Sequence, residues 1–94
     1  MSIETQLFSE IKPFINIGNL EGLKELWSRY QNETDFGRVI AWDSVFQKVY
    51  LHAALKKQHS ICAWLDELYL EFDPIRQIAM RQMFSYAKYL LNKR

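Results

Sequence analysis

One cysteine, two prolines and three glycines are all that the 94 residues contain of these types. The lone Cys62 cannot close an internal disulfide, which excludes a stapled secreted scaffold and leaves a reducing compartment as the expectation. So few glycines and prolines leave too few turn residues for many short strands, and the abundant Leu, Ala, Lys, Glu, Gln and Arg favour helix. With glycine only at 18, 22 and 37 there is no phosphate-cradling loop. No run approaches the roughly 18–20 continuous apolar residues of a membrane span, and the first residues, Met-Ser-Ile-Glu-Thr-Gln, lack the basic and apolar regions of a secretory signal. A location inside the cell, in the cytoplasm, is expected. The charge surplus is also missing. Twelve Lys and Arg against eleven Asp and Glu give a net +1, with no overall pull toward nucleic acid or anionic lipid.

Apolar surface is plentiful: hydrophobic residues make up 49% and aromatics 15%, enough for one core, so residues 1–94 read as a single helical domain. Ser2 caps a first helix with Ile3, Leu7, Phe8 and Ile11 on one side, which Pro13 is expected to end or kink near Lys12. Asn19 caps a second, with Leu20, Leu23, Leu26, Trp27 and Tyr30 inward, fading near Gln31. The polar stretch from Asn32 to Gly37 reads as a surface loop. Ser44 followed by Gln47 forms a capping-box pattern that starts the third helix near 44, leaving 38–42 unassigned, and its spacing continues to about 57. Ile61, Trp64, Leu65, Leu68, Tyr69 and Phe72 mark a fourth helix. Asp73-Pro74 then starts a fifth, with Ile75, Ile78, Ala79, Met83, Tyr86 and Leu90 inward and Gln77, Arg81, Ser85, Lys88 and Asn92 outward. Residues 60–73 hold Asp66, Glu67, Glu71 and Asp73 without a base, and residues 74–94 hold Arg76, Arg81, Lys88, Lys93 and Arg94 without an acid, so the last two helices are matched in charge if they pack antiparallel.

A weak internal repeat aligns Ala54–Leu65 with Ala79–Leu90, a period of 25 residues. Leu51-His52-Ala53-Ala54, Lys56-Lys57-Gln58-His59, Ile61-Cys62-Ala63-Trp64-Leu65 and Phe72-Asp73-Pro74 together resemble an ankyrin repeat, and Gly18-Asn19-Leu20-Glu21-Gly22-Leu23 resembles the turn and second helix of a preceding one. The Thr-Pro opening is missing, and Gln58 and Met83 stand where the turn glycine belongs, departures that speak against the long β-hairpin fingers typical of the family. Divergent repeats of this kind look like those of small proteins from large DNA viruses. The resemblance implies an all-α fold, a short stack of about three helix-turn-helix units. A four- or five-helix bundle is the alternative. It also implies that His52 ties neighbouring turns and that another protein is met through first helices and the loops leading into them, making Trp42, Lys48, Lys56 and Lys57 the candidate partner-binding residues.

No residues assemble into a reaction centre on paper. His52, His59, Cys62 and Asp66 recur along one side of a continuous helix, but four side chains spread over nearly four turns cannot converge on one ion, so no metal and no cofactor is assigned. Cys62 beside Trp64 and Leu65 reads as a small buried hydrophobe rather than a nucleophile served by His59, and no catalytic residue is assigned. The function expected is therefore a non-enzymatic protein-interaction module. The alternative is nucleic-acid binding through Arg76, Arg81 and Lys88 on the basic last helix.

Overall fold

The computed structural model describes residues 2–32 and 40–93, and these form five α-helices: α1 (Ile3–Asn16), α2 (Leu20–Asn32), α3 (Trp42–Leu55), α4 (His59–Tyr69) and α5 (Pro74–Asn92). The class is all-α. The expected loop at 32–37 and residues 38 and 39 fall outside the described residues, apart from Asn32, which closes α2.

Local chemistry accounts for most of the boundaries. Ser2 Oγ accepts the Thr5 N–H at 3.1 Å and starts α1; Asp73 Oδ1 accepts the Arg76 N–H at 2.9 Å and starts α5 at Pro74. Asn19 Oδ1 accepts from Gly22 N–H at 3.0 Å at the head of α2. Two expectations give way. Helix α1 runs through Pro13 to Asn16, because the bond that proline forfeits is to the carbonyl of Ser9, and both residues face solvent in the last turns. Helix α3 starts at Trp42 with Ala41 as its cap, and the Ser44–Gln47 box is not formed; Gln47 Nε2 instead donates to the Asp43 carbonyl at 3.2 Å.

The α1–α2 and α3–α4 turns share one geometry. Gly18, at φ +70°, follows α1, with its own N–H donating to Ile15 O and that of Asn19 to Phe14 O. Lys57, at φ +56°, follows α3, with its N–H donating to Ala54 O and that of Gln58 to Ala53 O. Both are Schellman closures. The residue in the left-handed turn position is thus Lys57, not Gln58. The 25-residue repeat is corrected as well: Ala54–Leu65 spans the end of α3, the turn and α4, whereas Ala79–Leu90 lies wholly inside α5, so Met83 occupies no turn. The equivalence that the backbone shows is between α1–α2 and α3–α4.

Side chains from the second turn fix the layout. Gln58 Nε2 donates to Ile15 O, in the last turn of α1, and Lys57 Nζ donates to the carbonyls of Leu90 and, at 2.7 Å, Lys93 at the end of α5. At the opposite end Glu4 Oε2 accepts the Ala41 N–H at 3.2 Å. Helices α1, α3 and α5 therefore run parallel in one row with α3 in the middle, and α2 and α4 return behind α1 and α3. Being covered by three neighbours, α3 buries Val45, Phe46, Val49, Tyr50, Ala53 and Ala54. Each such large side chain contributes about 1.5–3 kcal/mol of transfer free energy. Gly22 is what lets α1 and α2 close, since a Cβ there would sit 2.7 Å from the Phe14 ring.

Helix α5 sits in the row with a different face inward from the one its spacing suggested. Met80 and Ala87 are fully buried against α3, and Phe84 stacks on Tyr69 with centroids 4.1 Å apart and planes 5° from parallel. Gln77, expected outward, lies at the α4–α5 junction: its Nε2 donates to the carbonyls of Phe72 at 2.8 Å and Tyr69 at 3.2 Å, and its own carbonyl accepts the Tyr69 hydroxyl at 2.8 Å. These bonds satisfy the carbonyls that the end of α4 leaves open, and they set the rotation of α5. Ile75, Ile78 and Tyr86, expected inward, are 80%, 70% and 54% exposed, and Ala79 is exposed with them.

Candidate partner-binding site

At the end of the row where α3 and α5 begin, the ends of α2 and α4 leave an open cleft of about 360 Å³. Its floor is apolar. Trp27 is buried on α2, Trp42 leans onto it with ring centroids 4.8 Å apart, and Leu68 and Phe72 close the α4 side. Trp27 also meets Trp64 edge to face at 5.7 Å, so the indole floor is held from behind by α4. The rim is polar: Gln31, Glu71, Asp73 and Arg76, with Arg76 Nε 3.7 Å from Asp73 Oδ2. An aromatic anchor site ringed by charged groups is the arrangement that protein interfaces use for their dominant contacts.

Of the four residues expected to bind a partner, Trp42 alone lines this cleft, where it is half-buried. Lys48 is exposed midway along α3, beside a shallow groove formed with Ser44, Gln47, Leu51 and Met83. Lys56 and Lys57 stand at the far end of α3, roughly 20 Å from Trp42 by the helix rise, and Lys57 is engaged with the end of α5. The four do not form one patch. Glu71, Phe72 and Arg76 join Trp42 instead. The signal for them was Asp73-Pro74, which starts α5, but only the parallel row places that start beside Trp42.

The other constellations resolve into separate structural roles. His52 Nε2 lies 2.9 Å from Asn16 Oδ1 at the end of α1, its ring edge-on to Phe8, and burial, then Lys56 and Lys12, lower its pKa. His59 is exposed at the start of α4, while the Cys62 sulfur is shut inside, its thiol pushed up to about 12 by burial and then by Asp66. Asp66 accepts the Tyr50 hydroxyl at 2.8 Å, and Tyr50 is raised well above its ordinary value by burial first and this bond second. The break between α3 and α4 separates His52 from the other three, and among the described residues no three His, Cys, Asp or Glu side chains cluster to hold a metal ion.

The charge matching of α4 with α5 is realised at one point, Lys88 Nζ to Asp66 Oδ1 at 3.8 Å. Arg76 turns instead to Asp73 in its own first turn, while Arg81 is exposed with no acidic partner among the described residues; of the three cations expected to meet nucleic acid, Arg81 and Lys88 share one face of α5 and Arg76 lies on another. No helix among the described residues is long and apolar enough to cross a membrane. Compared with protein-family models, with curated proteins and with solved structures, the chain matches none.

Proposed function

We propose that this protein is a non-enzymatic interaction module, a short ankyrin-like stack whose Trp42 cleft receives a side chain of another protein. The observation that carries the reading is the cleft itself: an indole floor, rigidly backed by Trp27 and Trp64, with a charged rim at the heads of two first-row helices. The parallel row α1, α3, α5 backed by α2 and α4 supports the stack, and the His52–Asn16 bond supports the tie between neighbouring units that the ankyrin resemblance implies. In such a protein each helical pair buries its apolar side on the next. A cytoplasmic location belongs to the same proposal.

The test is affinity capture from cells at high salt with the intact chain and two variants, Trp42→Ala and Arg76→Glu. One captured protein, lost with both variants while their helical circular dichroism is unchanged, is the expected result. Capture indifferent to both variants, or retention only on a polyanion with a steep salt dependence, overturns it.

A further inference from the structure

Helix α5 carries two apolar faces, and its own chain covers one of them. The open one consists of Ile75, Ile78, Tyr86 and Tyr89, which are 80%, 70%, 54% and 60% exposed. With Gln82 between them, also exposed, they follow the 3-4-4-3 spacing of a single helical stripe. The other outer edge of the row is different: α1 shows solvent Gln6, Ser9, Glu10 and Pro13. One end of the row has the polar outer face that a terminal unit needs, and the other does not.

The stripe is symmetric about its middle residue. Set against an antiparallel copy of itself centred on Gln82, Ile75 falls opposite Tyr89, Ile78 opposite Tyr86, and Gln82 opposite Gln82. A two-fold contact requires this self-complementarity. It also gives the central glutamine its match, because two carboxamides facing each other exchange N–H···O=C bonds that an apolar partner cannot offer. A polar residue in an otherwise apolar seam fixes register in this way. Four large side chains at about 100–200 Å² each bury roughly 1,000 Å² across a pair, the lower edge of a specific interface.

We infer that a second copy of this chain docks on the exposed Ile75–Tyr89 stripe of α5, antiparallel about Gln82, so that the row continues from α3 and α5 of one protomer into α5 and α3 of its partner. The surface is separate from the Trp42 cleft, and this pairing stands whether or not the cleft binds another protein. Arg81 lies at the edge of the stripe, where the two-fold brings it toward its own symmetry mate, whereas Lys88 is drawn back to Asp66. The pairing therefore opposes like charge at its edge, and salt strengthens it.

Sedimentation of the full chain over a range of concentrations is expected to show a monomer–dimer equilibrium that tightens several-fold between low and high salt. The double variant Ile78→Lys with Tyr86→Lys is expected to sediment as a monomer at every concentration with unchanged helical circular dichroism, since both side chains are already exposed. Cysteine pairs read the register. Under mild oxidation Gln82→Cys gives a covalent dimer, and Ile75→Cys crosslinks to Tyr89→Cys when the two are mixed, while neither does so alone; Cys62 is buried and does not compete. A wild-type monomer at all concentrations overturns the inference. So does a dimer that survives the double variant, one that salt weakens, or crosslinking of Ile75→Cys to itself.

Discussion

Gln58 reaches from the α3–α4 turn to the carbonyl oxygen of Ile15, 2.8 Å away, and so binds the second helical pair to the first. The same amide lies over Gly18, where an added Cβ would be 3.1 Å from Gln58 Oε1. Replacing Gln58 with Ala removes one half-buried bond and is expected to cost about 0.5–1.5 kcal/mol in urea unfolding. Gln58→Glu is expected to cost more at neutral pH, because a carboxylate then faces a carbonyl oxygen, and to recover as the acid protonates.

Lys57 combines two effects that can be separated. Its left-handed backbone is strained for any residue with a Cβ, while its ammonium group holds carbonyls at the negative end of α5. Lys57→Ala loses the ammonium and keeps the strain; Lys57→Gly loses both. Glycine is therefore expected to exceed alanine in stability by about 0.5–1 kcal/mol. Equal midpoints for the two variants would contradict the strained turn.

Cys62 is expected to be chemically silent in the native protein. The reactive species is the thiolate, and burial followed by Asp66 pushes the thiol up to about 12. An aromatic disulfide reagent at pH 8 should label it at least about 1,000-fold more slowly than in denaturant, the rate following unfolding. Prompt labelling under native conditions would place the sulfur at the surface.

His52 makes stability depend on pH in a defined direction. Its folded pKa lies below the ordinary 6.5, chiefly from burial, so at mildly acidic pH the unfolded chain takes up the proton first. The contribution of the neutral ring is complete above 6.5 and is lost as pH falls from there through the folded value. His52→Gln, which can still bond Asn16, is expected to flatten this part of the curve. The difference between the two proteins, measured by denaturant midpoints from neutral to mildly acidic pH, isolates the histidine from the carboxylates.

Much of the secondary structure was legible because its signals are local. Ser2, Asn19 and Asp73-Pro74 each satisfy amides within three residues of themselves, and Gly18 supplies its own turn conformation. The Ser44–Gln47 box was equally local and misled: α3 starts two residues earlier, at Trp42, which packs tilted against Trp27, and the Ser44 and Val45 N–H groups donate to the Ala41 carbonyl. The candidate site was legible at Trp42 alone. Its companions Phe72 and Arg76 come from distant stretches of chain, and no spacing rule brings residues 42 and 76 together.

Sequence alone determined that the chain is helical, where four of the five helices begin to within a residue or two, and that Cys62 belongs inside, because propensity, caps and apolar spacing act over a turn or two of chain. Tertiary structure decided which side of α5 faces α3. Both sides of that helix are apolar, Met80, Phe84 and Ala87 on one and Ile75, Ile78, Tyr86 and Tyr89 on the other, so periodicity could not choose between them. The choice was made by Gln77, which closes the open carbonyls of α4, and by the stacking of Phe84 on Tyr69, both of which exist only once the helices have met.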